Sequence, residues 1–292
     1  MLPLESVPNF SEGRDASTIA AIGEALGTHV RVLDVHSDPD HNRSVFSVVG
    51  ADDDLVEGLV AGIAVARSRI DLRRHLGVHP RIGAADVVPV VPIEPGEMGR
   101  ALGVALALCA RVGELGLPVF LYAPPERGTA FYRRGGVAEL ERRLEAGELV
   151  PDFGPPRLDP AAGGVIIGAR RPLIAFNVAL HGTLEIAREI AAVVREGGSD
   201  GFPRVRALGL ELPSVGVVSV SMNVEDWEAA PLPEIVARVE REARRLGATL
   251  AGCELVGLIP AQAASAVIAA GLHVEGLDES RILELRAAAK LG

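Results

Sequence analysis

The chain has 292 residues, with 29 Lys and Arg against 39 Asp and Glu, for a formal net charge of −10. That balance lacks the basic excess that nonspecific binding to nucleic acid or to a membrane surface requires. Hydrophobic residues make up 48% and aromatic ones 3%, so a sizeable core is available and must be built mainly from Ala, Val, Leu and Ile. The cations are arginine except for Lys290, and arginine is the better fork for a carboxylate. Cys109 and Cys253 sit in apolar contexts, which suits buried thiols in a reducing, cytoplasmic setting better than a disulfide. No basic segment followed by an apolar run opens the chain, so no secretory signal is expected. The longest uncharged apolar stretches, such as 101–110, are too short to span a bilayer.

Read in chain order, a short apolar strand is expected near 4–8, followed by a polar turn, NFSEGRD. A helix follows over 16–26, where Ile19, Ile22 and Leu26 share one face. Residues 30–35 read as a strand, HSDPDHNR as a turn-rich loop, and 44–49 as a second strand closed by Gly50. Asp52, Asp53 and Asp54 offer an N-cap and a negative first turn to a helix over 55–70, and 86–91 reads as a strand. That order is β-α-β-β-α-β. A helix near 97–115, a strand over 119–122, a helix near 136–146 and a loop come next. The pattern then repeats: strand 173–178, helix 184–195, a hairpin-like pair at 205–212 and 215–222, helix 232–246 and strand 249–256. Helical segments near 262–270 and 280–291 close the chain. The expected class is α+β, two ferredoxin-like lobes packed together, one over 1–170 and one over 171–292. No low-complexity linker separates them, so a small-molecule cleft between the lobes is expected.

Five stretches can carry chemistry. In VPNFSEG, polar Asn9, Ser11, Glu12 and Gly13 follow a strand end, which a turn capped by Ser11 or Asp15 would also explain. In HSDPDHNRS, His36, Asp38, Asp40, His41, Asn42 and Arg43 crowd one loop, either a solvated hairpin or an active-site loop held by rigid strands. In RHLGVHPRIGA, His75 and His79 are four residues apart. Gly77 interrupts a helix there, and the residue before Pro80 is pushed out of α geometry, so His79 belongs in an extended turn. It is then a loop histidine or, facing a cleft, a proton carrier. DFGPPRLDPAAGG is a rigid connector or a wall for a flat ligand. In GARRPLIAFNVAL, Arg170 and Arg171 precede a strand, where arginine can grip a carboxylate or simply be solvated. The chain has no nucleotide fingerprint, CxxC pair, HExxH or GxSxG.

Together these stretches resemble the formimidoyltransferase (formiminotransferase) family. The carrying residues are VPNFSEG (7–13), DHNRSVF (40–46), HPRIGAADVVPVVP (79–92), PDFGP (151–155), GAR and PLIAFNV (168–178), VSMN (220–223) and ELVGLIP (254–260). The resemblance covers the transferase domain alone, so a stand-alone transferase without a cyclodeaminase is expected. It implies transfer of a formimidoyl group from N-formimidoyl-L-glutamate to N5 of tetrahydrofolate in histidine degradation, with folate as co-substrate, no metal, and a homodimer. It implies that His79, in the HPR motif, is the catalytic acid/base. It places the folate-binding loop on Gly154, Pro155, Pro156, Arg157, Leu158, Asp159, Pro160, Ala161, Ala162 and Gly163. Asp38 or Asp40 is expected to orient the imidazole or stabilise its cation. Asn9, Asn42, Arg43, Arg81 and Arg170 are expected to bind substrate, the arginines taking the glutamate carboxylates or the folate tail. Two positions depart from the family pattern. Val78 stands where many members have Glu, and His36 where others have an acidic or small polar residue. Two alternatives remain at this level: a metal-dependent amide hydrolase built on His36, Asp38, His41, His75 and His79, and a non-catalytic folate-binding protein.

Overall fold

The computed structural model describes residues 2–77, 80–94, 96–122, 127–213 and 215–288. The chain divides into two compact units, the first reaching Arg171 and the second starting at Pro172. Both are mixed α and β, each built on its own sheet.

In the first unit, β1 (Leu4–Ser6) and β2 (Asn9–Phe10) lie end to end in the sheet, both between β4 (Arg43–Gly50) and β5 (Ala85–Pro92). The break between them falls at Val7 and Pro8, opposite Pro89 of β5. Neither proline has an N–H to give to the ladder, so pairing lapses there. Helix α1 (Ala16–Gly27) starts at Asp15, whose carboxylate accepts from Ser17 N at 2.9 Å. β3 (Arg31–Asp38) pairs with β4 at the sheet edge. Helix α2 (Asp52–Arg69) carries Asp52, Asp53 and Asp54 in its first turn and Arg67 and Arg69 in its last, both signs matched to the helix dipole. Helix α3 (Met98–Glu114), β6 (Val119–Leu121), α4 (Thr129–Arg133), α5 (Gly136–Glu145) and β7 (Val165–Ala169) complete the unit. β7 is parallel to both β5 and β6 and lies between them. Neither α4 nor β7 is legible in the sequence. VIIGA is too short an apolar run to distinguish a buried strand from loop filler, and α4 has only five residues.

One sheet face packs on α1, α2 and α3 through Leu4, Phe10, Phe46, Val48, Val88, Val90, Val165 and Ile167. Phe10 and Phe46 meet edge to face, ring centroids 5.5 Å apart. A smaller core, including Phe120, Tyr132, Leu140 and Ile166, involves α4 and α5. The expected loop over HSDPDHNR is shorter than its composition suggests. Its first three residues pair with β4, Asp38 opposite Arg43, and only 39–42 turn.

The second unit runs β8 (Ile174–His181), α6 (Leu184–Val194), β9 (Val205–Leu212), β10 (Val217–Val224), α7 (Leu232–Arg245) and β11 (Thr249–Val256). Its sheet is antiparallel in the order β11-β8-β10-β9. Alternate residues of β8, Ile174, Phe176, Val178 and Leu180, are buried with Ile190, Val194, Ile235 and Val239 of α6 and α7. Helices α8 (Ala261–Ala269) and α9 (Leu283–Ala288) follow, with a 3₁₀ turn at Glu279–Arg281 where one continuous helix was expected. Cys109 and Cys253 are free and buried. Among the described residues no helix is long and apolar enough to cross a membrane.

Replacing Phe46, fully buried against Phe10, by Ala is expected to destabilise the first unit by about 3–5 kcal/mol in urea unfolding. Val35→Ala, at a side chain 44% exposed on β3, is expected to cost about 0.5 kcal/mol or less.

Candidate active site

Polar side chains gather on the face of the first sheet opposite α1, α2 and α3. Strand residues alternate, so β4 sends Phe46 and Val48 into the helix-side core and Arg43, Val45 and Ser47 the other way. Pairing with β3 places Asp38 beside Arg43, His36 beside Val45 and Asp34 beside Ser47. On β2, Phe10 enters the core and Asn9, opposite Val45 and Val87, shares the polar face. The Asn9 amide donates to Val7 O at 2.9 Å.

A β-bulge adds an acid to this face. Asn9 pairs with Val87 and Phe10 with Ala85, which leaves Asp86 as an extra residue on β5. Asp86 is 2% exposed, accepts from Ile82 N at 2.7 Å and is ion-paired with Arg133 of α4. Arg43 lies within Coulombic reach of Arg133, Asp86, Asp38 and Arg81. Burial above all, then the Arg133 cation, pulls the Arg43 pKa down to about 10. Arg43, Arg81 and Arg133 thus gather with Asp38 and Asp86 in one charged cluster.

The turn at 39–42 is wired from within. Asp38 Oδ1 accepts from the Asp40 and His41 amides at 2.8 and 2.9 Å, and Asp38 Oδ2 lies 2.6 Å from His41 Nδ1. Burial pushes the Asp38 carboxyl up, but the ring and amide hydrogen bonds of His41 outweigh it and hold the pKa at about 2. Asn42 closes the turn with φ +46° and is buried. Its Oδ1 accepts from Gly13 N at 2.9 Å and its Nδ2 donates to Leu76 O at 3.0 Å.

Arg81 reaches back to the same turn, donating Nη2 to His41 O at 2.9 Å and Nη1 to Asn42 O at 3.1 Å. Arg81 Nη1 also lies 2.8 Å from His75 Nδ1, and His75 Nε2 lies 3.2 Å from Asn42 O. Arg81 Nη1 lies 2.7 Å from His75 Nε2 as well, so the guanidinium stands close against the ring. Burial first, then the Arg81 cation, holds the His75 pKa below its ordinary value.

Of the residues singled out by sequence, Asn9, Asp38, Asn42, Arg43 and Arg81 come together here. Val78 and His79 lie outside the described residues. The Gly154 to Gly163 loop packs on both flanks of the segment containing His79. Leu72 N donates to Ala161 O at 2.8 Å, and Ala84 N donates to Ala162 O at 2.8 Å. Gly154 and Gly163 have φ of +79° and +70°, and a Cβ at either would fall about 2 Å from the carbonyl oxygen of Leu117 or Ile82. Their close approach is therefore to the protein's own backbone. Arg170 stands apart: its amide bonds Val90 O, and Val90 lies about 13 Å along β5 from Asp86 at ~3.3 Å per residue. Sequence reasoning omitted Asp86 and Arg133 from the site. An acid at the start of an apolar strand was a signal for Asp86; FYRRGG carries none for Arg133. Among the described residues no group of three or more His, Cys, Asp or Glu is arranged to hold a metal ion.

The Asp38 carboxyl titrates lower folded, at about 2, than its ordinary 3.8, so its contribution is full above roughly pH 4 and is lost as pH falls toward 2. Asp38→Asn is expected to cost about 2 kcal/mol at pH 7, with the gap to wild type closing near pH 2 in acid-unfolding curves. Asp86→Ala strands Arg133 in a largely buried position, and a loss of about 3–5 kcal/mol is expected in thermal or urea unfolding.

Residues 3–170 match the family model described as the formiminotransferase domain, N-terminal subdomain, and 175–286 match the formiminotransferase domain. Glutamate formimidoyltransferase of Thermoplasma acidophilum is 40% identical, the match covering 96% of each chain. Glutamate formimidoyltransferase of Streptococcus pyogenes is 36% identical over 96% of this chain and 97% of that one. Formimidoyltransferase-cyclodeaminase of Sus scrofa is 37% identical over 96% of this chain, which corresponds to 55% of the pig protein. Both halves of the chain and nearly its whole length are covered by these likenesses, and the chain belongs to the formiminotransferase family.

Proposed function

We propose that the chain is a glutamate formimidoyltransferase: it moves the formimidoyl group of N-formimidoyl-L-glutamate to N5 of tetrahydrofolate, releasing L-glutamate. The observation that carries the reading is the near full-length likeness to proteins of that name. The buried Arg43 guanidinium on the polar face of the first sheet supports it, because both substrates are carboxylates and arginine grips a carboxylate.

Folate N5 attacks the formimidoyl carbon and an N5–C bond forms. The tetrahedral intermediate then loses its bond from carbon to the glutamate nitrogen. N5 gives up a proton and the departing nitrogen takes one, and a histidine titrating near neutrality can serve both steps. We assign that role to His79. Arg43 is the candidate for a substrate carboxylate on this face, with Asn9 beside it. The guanidinium of Arg81 is engaged by the 41–42 turn, so its part is in holding the site. The Gly154 to Gly163 loop, packed on the residues that flank this segment, is the candidate pterin wall.

We read each unit, with its β-α-β-β-α-β order, as a ferredoxin-like lobe, and the chain as a homodimeric cytoplasmic enzyme whose two subdomains divide in sequence near residue 171. Incubation of the purified protein with tetrahydrofolate and N-formimidoyl-L-glutamate, with chelator present, is expected to give the 5-formimidoyl adduct by absorbance and mass. His79→Ala is expected to lower turnover about 10²–10⁴-fold, the range for a general acid/base group, while folate still binds. Absence of the adduct would sink the transferase reading, and an unimpaired variant would sink the assignment of His79.

A further inference from the structure

We propose that Asn42 is a positioning residue that pins the segment bearing His79 at both ends. This rests on the reading of His79 as the proton carrier. The segment between Leu76 and Arg81 is fastened on one side by the Asn42 side chain, through Nδ2 to Leu76 O at 3.0 Å. It is fastened on the other by the Asn42 main chain, whose carbonyl accepts from Arg81 Nη1 at 3.1 Å. Arg81 Nη2 adds a bond to the neighbouring His41 carbonyl at 2.9 Å. The other end of the amide, Oδ1, takes Gly13 N at 2.9 Å and ties the junction to the turn after β2. The orientation of the amide follows from its partners, since Oδ1 faces an N–H and Nδ2 faces a carbonyl. With both polar atoms engaged on backbone, Asn42 holds the site together rather than gripping substrate.

Two further features belong to the same junction. Asn42 has φ +46°, a conformation that Asn adopts far more readily than most residues. The chains that meet it come closer than a side chain allows. A Cβ at Gly77 would lie 2.4 Å from His41 O and 3.0 Å from Asn42 Cβ, and one at Gly13 would lie 2.2 Å from Asp38 O. Three segments distant in sequence converge on one buried amide, with glycine at the contacts. A reacting group displaced by about 1 Å can lose 10²-fold in rate, so the fastening bears on turnover more than on substrate affinity.

The test uses Asn42→Gly, which keeps the backbone conformation and removes both side-chain bonds. It also uses Asn42→Asp, which keeps the acceptor toward Gly13 and loses the donor toward Leu76. Steady-state kcat and KM for both substrates are measured, with amide hydrogen exchange over 74–82. Both variants are expected to lose kcat by about 10–100-fold with KM changed less than about threefold, and exchange over 74–82 is expected to rise. The introduced carboxyl can donate to Leu76 O only when protonated. The kcat of Asn42→Asp relative to wild type is therefore expected to recover as pH falls; the charged and titratable groups that face this junction are Asp38, His41, His75 and Arg81. Unchanged exchange with kcat within about twofold of wild type would overturn the proposal. So would a loss of thermal stability in which kcat and KM fail together. His79→Ala run beside them separates the two readings: full turnover there defeats the role of His79, while exchange over 74–82 still decides whether Asn42 fastens the segment.

Discussion

Side chains on a strand alternate, so the pairing of Asp38 with Arg43 across β3 and β4 puts Asp34, His36 and Ser47 on the same side of the sheet as these two residues. A slip of one residue would bury Arg43 and Val45 under the helices and expel Phe46 and Val48. Phe46, locked edge to face on Phe10, makes that slip costly. Asn9 follows the same register, because Phe10 beside it is committed to the core. The candidate site is thus the reverse face of a hydrophobic decision.

Alternation alone would send Asp86 into the helix-side core with Val88 and Val90. The bulge at β5 inserts one residue and turns the carboxylate to the polar face, where Arg133 meets it. A buried pair of this kind adds little to stability by itself, because removing both charges from water offsets much of their attraction. Its consequence is geometric. Asp86 holds Ile82 N, and through it the chain that leads back to Arg81 and the 41–42 turn. The short helix α4 is needed in the fold because it delivers the partner that this carboxylate requires.

The glycines of the 154–163 loop illustrate the same economy. Their composition invites a reading in terms of a flat ligand. Their backbone is spent instead on approaching Leu117 and Ile82. The ordering of that loop against 72 and 84 places it beside the segment that carries His79, so its role toward folate, as proposed, comes from position rather than from glycine itself.

Much of the architecture was legible in the chain. Helical periodicity with caps at Asp15 and an acidic first turn at Asp52, and alternation along β8 and β10, are local signals. They fix element type and the mixed α and β class, because each depends on residues a few positions apart. The motifs running from VPNFSEG to ELVGLIP likewise carried the family resemblance without a structure. The tertiary structure alone decided three things. It inserted β7 between β5 and β6, it joined Asp86 to Arg133, and it turned the amide of Asn42 onto Gly13 and Leu76. Each joins segments far apart in sequence, and periodicity says only which face a side chain takes, not which distant backbone will stand opposite it.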